Sequence, residues 1–252
     1  VVVDSAGQDG IFWTANDALD AGANANHRRV FVRDGTYGPF DLDQSRMYIE
    51  CESHHAIFDG GTTDDAIDVT APRSVIDGCG IVTTAGGGQP YNGITIAATG
   101  DSTKIIGVHI EDSDNIGLFW TSGANVGWIL NSTFDGADDN CMGVHALQVL
   151  ISGNQIRTCG ARGLNVDAGG DLQIVNNQFR GVATESITIR DGSHSDNNII
   201  SSNLTAGGTY GLWISGSGAT NNVVVGNRFF GASTSNYTDN GTNTSAAGNN
   251  TN

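Results

Sequence analysis

Residues 151–166 read ISGNQIRTCGARGLNV, and residues 174–189 read IVNNQFRGVATESITI. Aligned, the two stretches share a leading Ile, a corner ending in Asn-Gln, a buried-type residue (Ile156, Phe179), an Arg, a turn and a short alternating run. The runs Leu164-Asn165-Val166 and Ile187-Thr188-Ile189 alternate apolar and polar with period two, as a strand does. Working outward, the apolar anchors Ile110, Phe134, Ile156, Phe179, Leu204 and Phe229 are spaced 24, 22, 23, 25 and 25 residues apart. Eight residues after each comes a second large side chain: Leu118, Met142, Leu164, Ile187, Leu212 and Tyr237. A unit this short cannot bury its own apolar face and has to stack on copies of itself. Short strands on such a period predict an all-β parallel β-helix of about nine coils, because roughly 220 residues divide by this repeat.

Upstream, Ile57 and Ile81 extend the anchor series, with an inserted loop from Thr84 to Pro90. Thr14 stands three residues before Asp17 in a capping-box pattern, and Ala15, Ala18, Leu19 and Ala21 follow. This predicts a short helix over 14–22, within an N-terminal cap of residues 1–30 that would cover the open end of the core. Residues 1–235 form one β-helix domain in this reading. Residues 236–252, rich in Ser, Thr and Asn, form a tail that is either a fraying last coil or a linker. The opening Val1-Val2-Val3-Asp4 reads as mid-strand, as in a mature or trimmed chain.

The 252 residues carry a net charge of −16. The 27 acids comprise 23 Asp and four Glu, against ten Arg and the single lysine Lys104. Nucleic acid is thereby excluded as a partner, for no basic patch offsets its phosphates. No run of 18 apolar residues occurs, so no membrane span is expected. Cys51 and Cys79 lie about one coil apart, as do Cys141 and Cys159, so each pair could bridge neighbouring coils. Four cysteines allow three pairings, and free buried thiols are the alternative.

Residues at equal offset from the anchors form ladders about 4.8 Å apart. Two positions before the anchors stand Asn154, Asn177 and Asn227, with Ser132 and Ser202 between, a column that predicts an inward, self-satisfied amide ladder. One position after stand Glu111, Asp135, Arg157 and Arg180, pointing out as a charge ladder or a sugar-binding strip. Eleven after stand Thr121, His145, Asp167 and Arg190, also pointing out. Here His145 has the chemistry of a base, Asp167 of its orienting partner, and Arg190 of a carboxylate clamp. A merely polar strand face is the plainer reading. Phe119 and Trp213 share an outward strand column and offer platforms for sugar rings. In the turns, Asp114 and Asp138 occupy the same offset one coil apart, and Asp139 follows. Carboxylates one or two rungs apart suit glycoside hydrolysis, and they would also recruit calcium; turn-forming Asp explains them too.

The pattern resembles the pectin-lyase-like superfamily of right-handed parallel β-helices, over nearly the whole chain. TANDALDAG (14–22) and VFVRDGTY (30–37) look like the cap and first coil of its polysaccharide lyases, mannuronan epimerases and phage tailspikes. The acids look like part of the inverting polygalacturonase-like hydrolases. DSDN holds Asp114 and ADDNCMGV holds Asp138 and Asp139, while CGARGLNV puts Arg162 where that family has His, and no Arg-x-Lys follows. The resemblance implies an extracellular protein, of a virion or cell surface, that acts on a polysaccharide as hydrolase or lyase. Asp114, Asp138, Asp139 and His145 would be catalytic, and Arg162, Asp167, Arg190, Phe119 and Trp213 would bind substrate. No metal is required, with calcium as the one candidate cofactor. A non-catalytic glycan-binding or structural β-helix is the alternative, and a homotrimer follows if the chain is a viral spike.

Overall fold

The computed structural model describes residues 2–3, 29–83, 90–191 and 195–251. The expected helix over 14–22 and most of the Thr84–Pro90 loop lie outside the described residues. Within them every regular element is a strand, and every strand pairing is parallel.

Each coil contributes one strand to each of three sheets. The first sheet has eleven strands and runs to Ser245–Ala247. The second has nine, from Gly35–Tyr37 to Arg228–Phe230, and the third has nine, from Phe40–Leu42 to Ser235–Asp239. Nine stacked rungs make eight full turns, close to the expected number. Part of the segment expected as a tail is itself two strands. Ser235–Asp239 pairs with Tyr210–Ile214 and Ser245–Ala247 pairs with Val223–Val225, so these residues continue the last coil.

The anchors stack in register from Ile110 through Phe134 and Ile156 to Phe179, all buried. The second column, Leu118, Met142, Leu164, Ile187, Leu212 and Tyr237, also pairs rung by rung. Two anchors are corrected by one residue. Thr205, not Leu204, pairs with Phe179 and Phe229 and is fully buried. Phe58, not Ile57, pairs with Ile81. In both cases an apolar neighbour stood beside the true inward position, and only backbone pairing fixes which of two adjacent residues faces in.

The corners explain the Gly and Asn content. Between the first and second sheets Gly107, Asn131, Gly153, Asn176, Ser202 and Gly226 all have φ between 51 and 72 degrees. This left-handed conformation is cheapest for Gly and Asn. The next residue but one to the second-sheet anchor then turns inward as an amide ladder. Asn154 Nδ2 donates to Asn177 Oδ1 at 2.9 Å, Asn177 Nδ2 to Asn203 Oδ1 at 3.0 Å, and Asn203 Nδ2 to Asn227 Oδ1 at 3.0 Å. The ladder was expected at Ser202; Asn203 carries it, for the same one-residue shift.

Both cysteine pairs are bridged, Cys51 to Cys79 and Cys141 to Cys159, and no cysteine is free. Each bridge ties one coil to the next. No helix of the described residues is long and apolar enough to cross a membrane.

Candidate functional site

The outer face of the third sheet gathers most of the predicted residues. Its outward column runs Asp41, Asp68, Thr95, Phe119, Gly143, Asn165, Thr188 and Trp213, one per rung. Phe119 leans over the next rung, because a Cβ on Gly143 would sit 3.2 Å from its ring. Trp213 stacks on Tyr210 of its own strand, with ring centroids 5.3 Å apart. Aromatics therefore stand at both ends of a polar stretch. Its floor, Asn165 and Thr188, is buried to 7% and 1% exposure, and neither Asn165 Oδ1 nor Thr188 Oγ1 has a protein partner. Buried polar atoms are rarely left so, at a cost of about 1–3 kcal/mol each.

Two charged edges flank this floor. On the exit edge, the backbone N–H groups of Thr121, His145, Asp167 and Arg190 each donate to the preceding coil, to Ile96, Trp120, Val144 and Val166. The four residues thus occupy one column, as expected. Arg190 Nη1 lies 3.6 Å from Asp167 Oδ2. The His145 ring meets Phe119 edge to face at 5.2 Å. Burial lowers the pKa of His145, and Arg190 adds to this while Asp167 opposes it. The imidazole is held neutral, in its proton-accepting form.

On the entry edge, Arg162 Nε lies 2.9 Å from Glu185 Oε2, and Thr184 Oγ1 donates to the same carboxylate oxygen at 2.7 Å. The Nε–H makes no aligned hydrogen bond, so the attraction is of charge to charge. The Arg162 backbone N–H donates to Asn140 Oδ1, and Asn140 Nδ2 donates to Asp139 Oδ2 at 2.9 Å. Asp139 is tied to this edge through Asn140.

Asp114 and Asp138 are placed elsewhere. With Thr83, Asp112 and Gly136 they line a hollow of about 230 Å³ on the turn between the second and third sheets. They share one concavity, as the equal offset predicts, but His145 is not in it. Among the described residues no group of three or more His, Cys, Asp or Glu side chains is close enough to share a metal ion.

The structure adds residues that the sequence reading passed over. Gly143, Asn165 and Thr188 share the column of Phe119 and Trp213. Glu185 and Tyr210 share the column of Arg162: the Gly163 N–H donates to Glu185 O, Leu164 pairs with Ile187, and Glu185 pairs with Tyr210. Equal offset was the available signal. Asp68 is a further addition. Its pKa rises to about 6, through burial first and then through Asp65, Asp64 and Asp41. Asp65 accepts from Thr95 Oγ1 at 2.5 Å and from the Asn92 backbone at 2.6 Å.

A stack of three parallel sheets defines a β-solenoid, here with a polar outer face that ends in aromatics. Residues 92–251 match the family described as right handed beta helix region, and the chain belongs to that family. Among solved structures it is similar to the Dettilon tailspike protein gp208, at 14% identity and a TM-score of 0.66, over 90% of this chain and 48% of that one. It is similar to tailspike protein 2 of Escherichia coli O157:H7 bacteriophage CAB120, at 16% identity and 0.52, over 90% and 38%. It is similar to the pectin methylesterase PemA from Erwinia chrysanthemi, at 12% and 0.56, over 84% and 80%. The chain thus spans less than half the length of either tailspike. No match is found among curated proteins. At these identities the likeness is one of fold.

Proposed function

We propose that this is an extracellular carbohydrate-active β-helix that lays a polysaccharide along the outer face of its third sheet and degrades it, as a hydrolase or lyase. One juxtaposition carries the reading. The Arg162–Glu185 and Asp167–Arg190 pairs edge a polar floor of Asn165 and Thr188, between Phe119 on one side and Trp213 with Tyr210 on the other. Aromatic platforms take the apolar faces of sugar rings, and amides and charged pairs take their hydroxyls and carboxylates. Neutral His145 serves as base, and Asp139, on the opposite edge, is the second acid/base group. Two coil-to-coil disulfides suit an oxidising, extracellular setting. The fold neighbours include tailspikes and an enzyme named for pectin, which agrees with a glycan at a virion or cell surface, and a homotrimer belongs to the tailspike version of this reading.

Asp114 and Asp138 favour a second reading, a glycan-binding module without catalysis, because their hollow lies apart from His145. A panel of acidic and neutral polysaccharides, with and without calcium, separates the two. Release of oligosaccharides or unsaturated ends by the wild type, lowered at least ~100-fold by Asp139→Asn or His145→Gln with binding retained, supports catalysis. Binding without cleavage, weakened in Trp213→Ala, supports the module. No binding and no cleavage across the panel sinks both.

A further inference from the structure

We infer a second glycan site, independent of the third-sheet face, on the outer face of the second sheet: a strip that takes the negatively charged groups of an acidic polysaccharide. The strands Gln155–Arg157, Gln178–Arg180, Leu204–Ala206 and Arg228–Phe230 stack on consecutive rungs. Between them they carry three of the ten arginines and none of the 27 acids of a chain whose net charge is −16. That contrast is local. In the same outward column the two preceding rungs hold Glu111 and Asp135.

Arg157 and Arg180 are in register, so their side chains leave neighbouring strands about 4.8 Å apart. Like charges directly opposite destabilise a sheet unless something lies between them. Among the described residues nothing charged does. Among the described residues no carboxylate comes within ion-pairing distance of Arg157, Arg180 or Arg228. The partner Arg157 has is neutral: its Nη2 donates to Gln155 Oε1 at 2.8 Å. The two Gln-x-Arg strands enclose a hollow of about 150 Å³ lined by Gln155, Arg157, Gln178 and Arg180. An anionic group seated there meets two guanidinium forks, while the carboxamides of Gln155 and Gln178 reach hydroxyls beside it. Farther along the axis the Arg228 guanidinium lies 5.3 Å from the Phe230 ring centroid, so the strip ends in a cation over an aromatic platform. The strip spans three rung steps, about 14 Å, along the direction in which a linear chain would lie.

Spaced anions with hydroxyls between them describe a polymer of uronic acids or of sulfated sugars. The shared chemistry is an anionic substituent on a sugar ring, and the test has one arm for each source. The probes are polygalacturonate, dextran sulfate and uncharged dextran, in affinity electrophoresis and titration calorimetry at two salt concentrations. The variants are Arg157→Gln with Arg180→Gln, singly and together. All are at exposed positions, and far-ultraviolet circular dichroism checks the fold. The wild type should bind at least one anionic polymer, more weakly in high salt, and not dextran. The double variant should lose at least tenfold in affinity, and each single variant part of that. Polygalacturonate alone bound assigns uronate; dextran sulfate alone assigns sulfate ester. The fold-loss caused by the double variant should be the same in a Trp213→Ala background, which separates the strip from the third-sheet face. Absence of binding to both anionic polymers, or equal binding by wild type and double variant, overturns the proposal.

Discussion

Asn177 and Asn203 sit one above the other in the core, and the Nδ2 of the first donates to the Oδ1 of the second at 3.0 Å. Asn177 is bonded on every side. Its Oδ1 accepts from the backbone N and the Nδ2 of Asn154, and its Nδ2 also reaches Ile151 O. An apolar column could fill the same space, but it would leave the corner's backbone groups without partners.

Asn177→Ala is therefore expected to destabilise the protein by about 3 kcal/mol, since it orphans buried groups on two neighbouring coils. Denaturant unfolding measures it. An exposed control outside the left-handed corners, Asn240→Ala, should change stability by less than about 0.5 kcal/mol. Equal effects at the two sites would refute the ladder's role.

The Cys141–Cys159 bridge closes a loop with a sequence separation of 18. Replacing both cysteines by serine is expected to lower stability by about 3 kcal/mol under oxidising conditions. Alkylation without reductant should add no mass to the native protein. A four-alkyl mass shift on unreduced protein would show the thiols free.

Asp68 gives stability a particular pH dependence. Its carboxyl titrates near 6 in the fold, above its ordinary 3.8, because burial and Asp65, Asp64 and Asp41 disfavour the charge. The folded state thus binds the proton more tightly than the unfolded chain. The favourable contribution is full below about pH 3.8 and is lost as pH rises through about 6. Asp68→Asn should be more stable than wild type at pH 7.5, by about 1–2 kcal/mol after allowing for the solvent that reaches this half-buried site. The gap should close towards pH 4. A gap that stays constant across this range would contradict the shift.

Val126 has φ 61 degrees, at the corner leading into the first sheet. A β-branched residue is poorly suited to that conformation. Asn221 and Asn243 occupy left-handed corners of the same kind, with φ 54 and 57 degrees. Val126→Asn is expected to raise stability by about 1 kcal/mol, read as a higher thermal midpoint. A fall in the midpoint would mean that the Val126 side chain contributes more by packing than its backbone costs.

The repeat fixed the architecture from sequence alone, for a physical reason. A unit of 22 to 25 residues with two short alternating runs has no way to bury its apolar side chains except by stacking in parallel. The buried columns from Ile110 to Phe179 and from Leu118 to Leu212, and the inward amides at Asn154, Asn177 and Asn227, follow from that spacing. The outward column of His145, Asp167 and Arg190 was legible in the same way. What spacing leaves open is any choice between adjacent residues or between faces. Leu204 and Thr205 differ by one position, and backbone pairing with Phe179 selects the threonine. Three sheets diverge at the corners, so residues close in sequence can leave on different sides. Asp138 turns into a hollow with Asp114, whereas Asp139, its neighbour, is tied through Asn140 to the edge that holds Arg162. The partnering of Arg162 with Glu185 and the burial that raises the pKa of Asp68 belong to the tertiary structure as well. Charge pairing and desolvation depend on distances between coils, and a one-dimensional repeat carries the order of the coils but not which side chains lean across them.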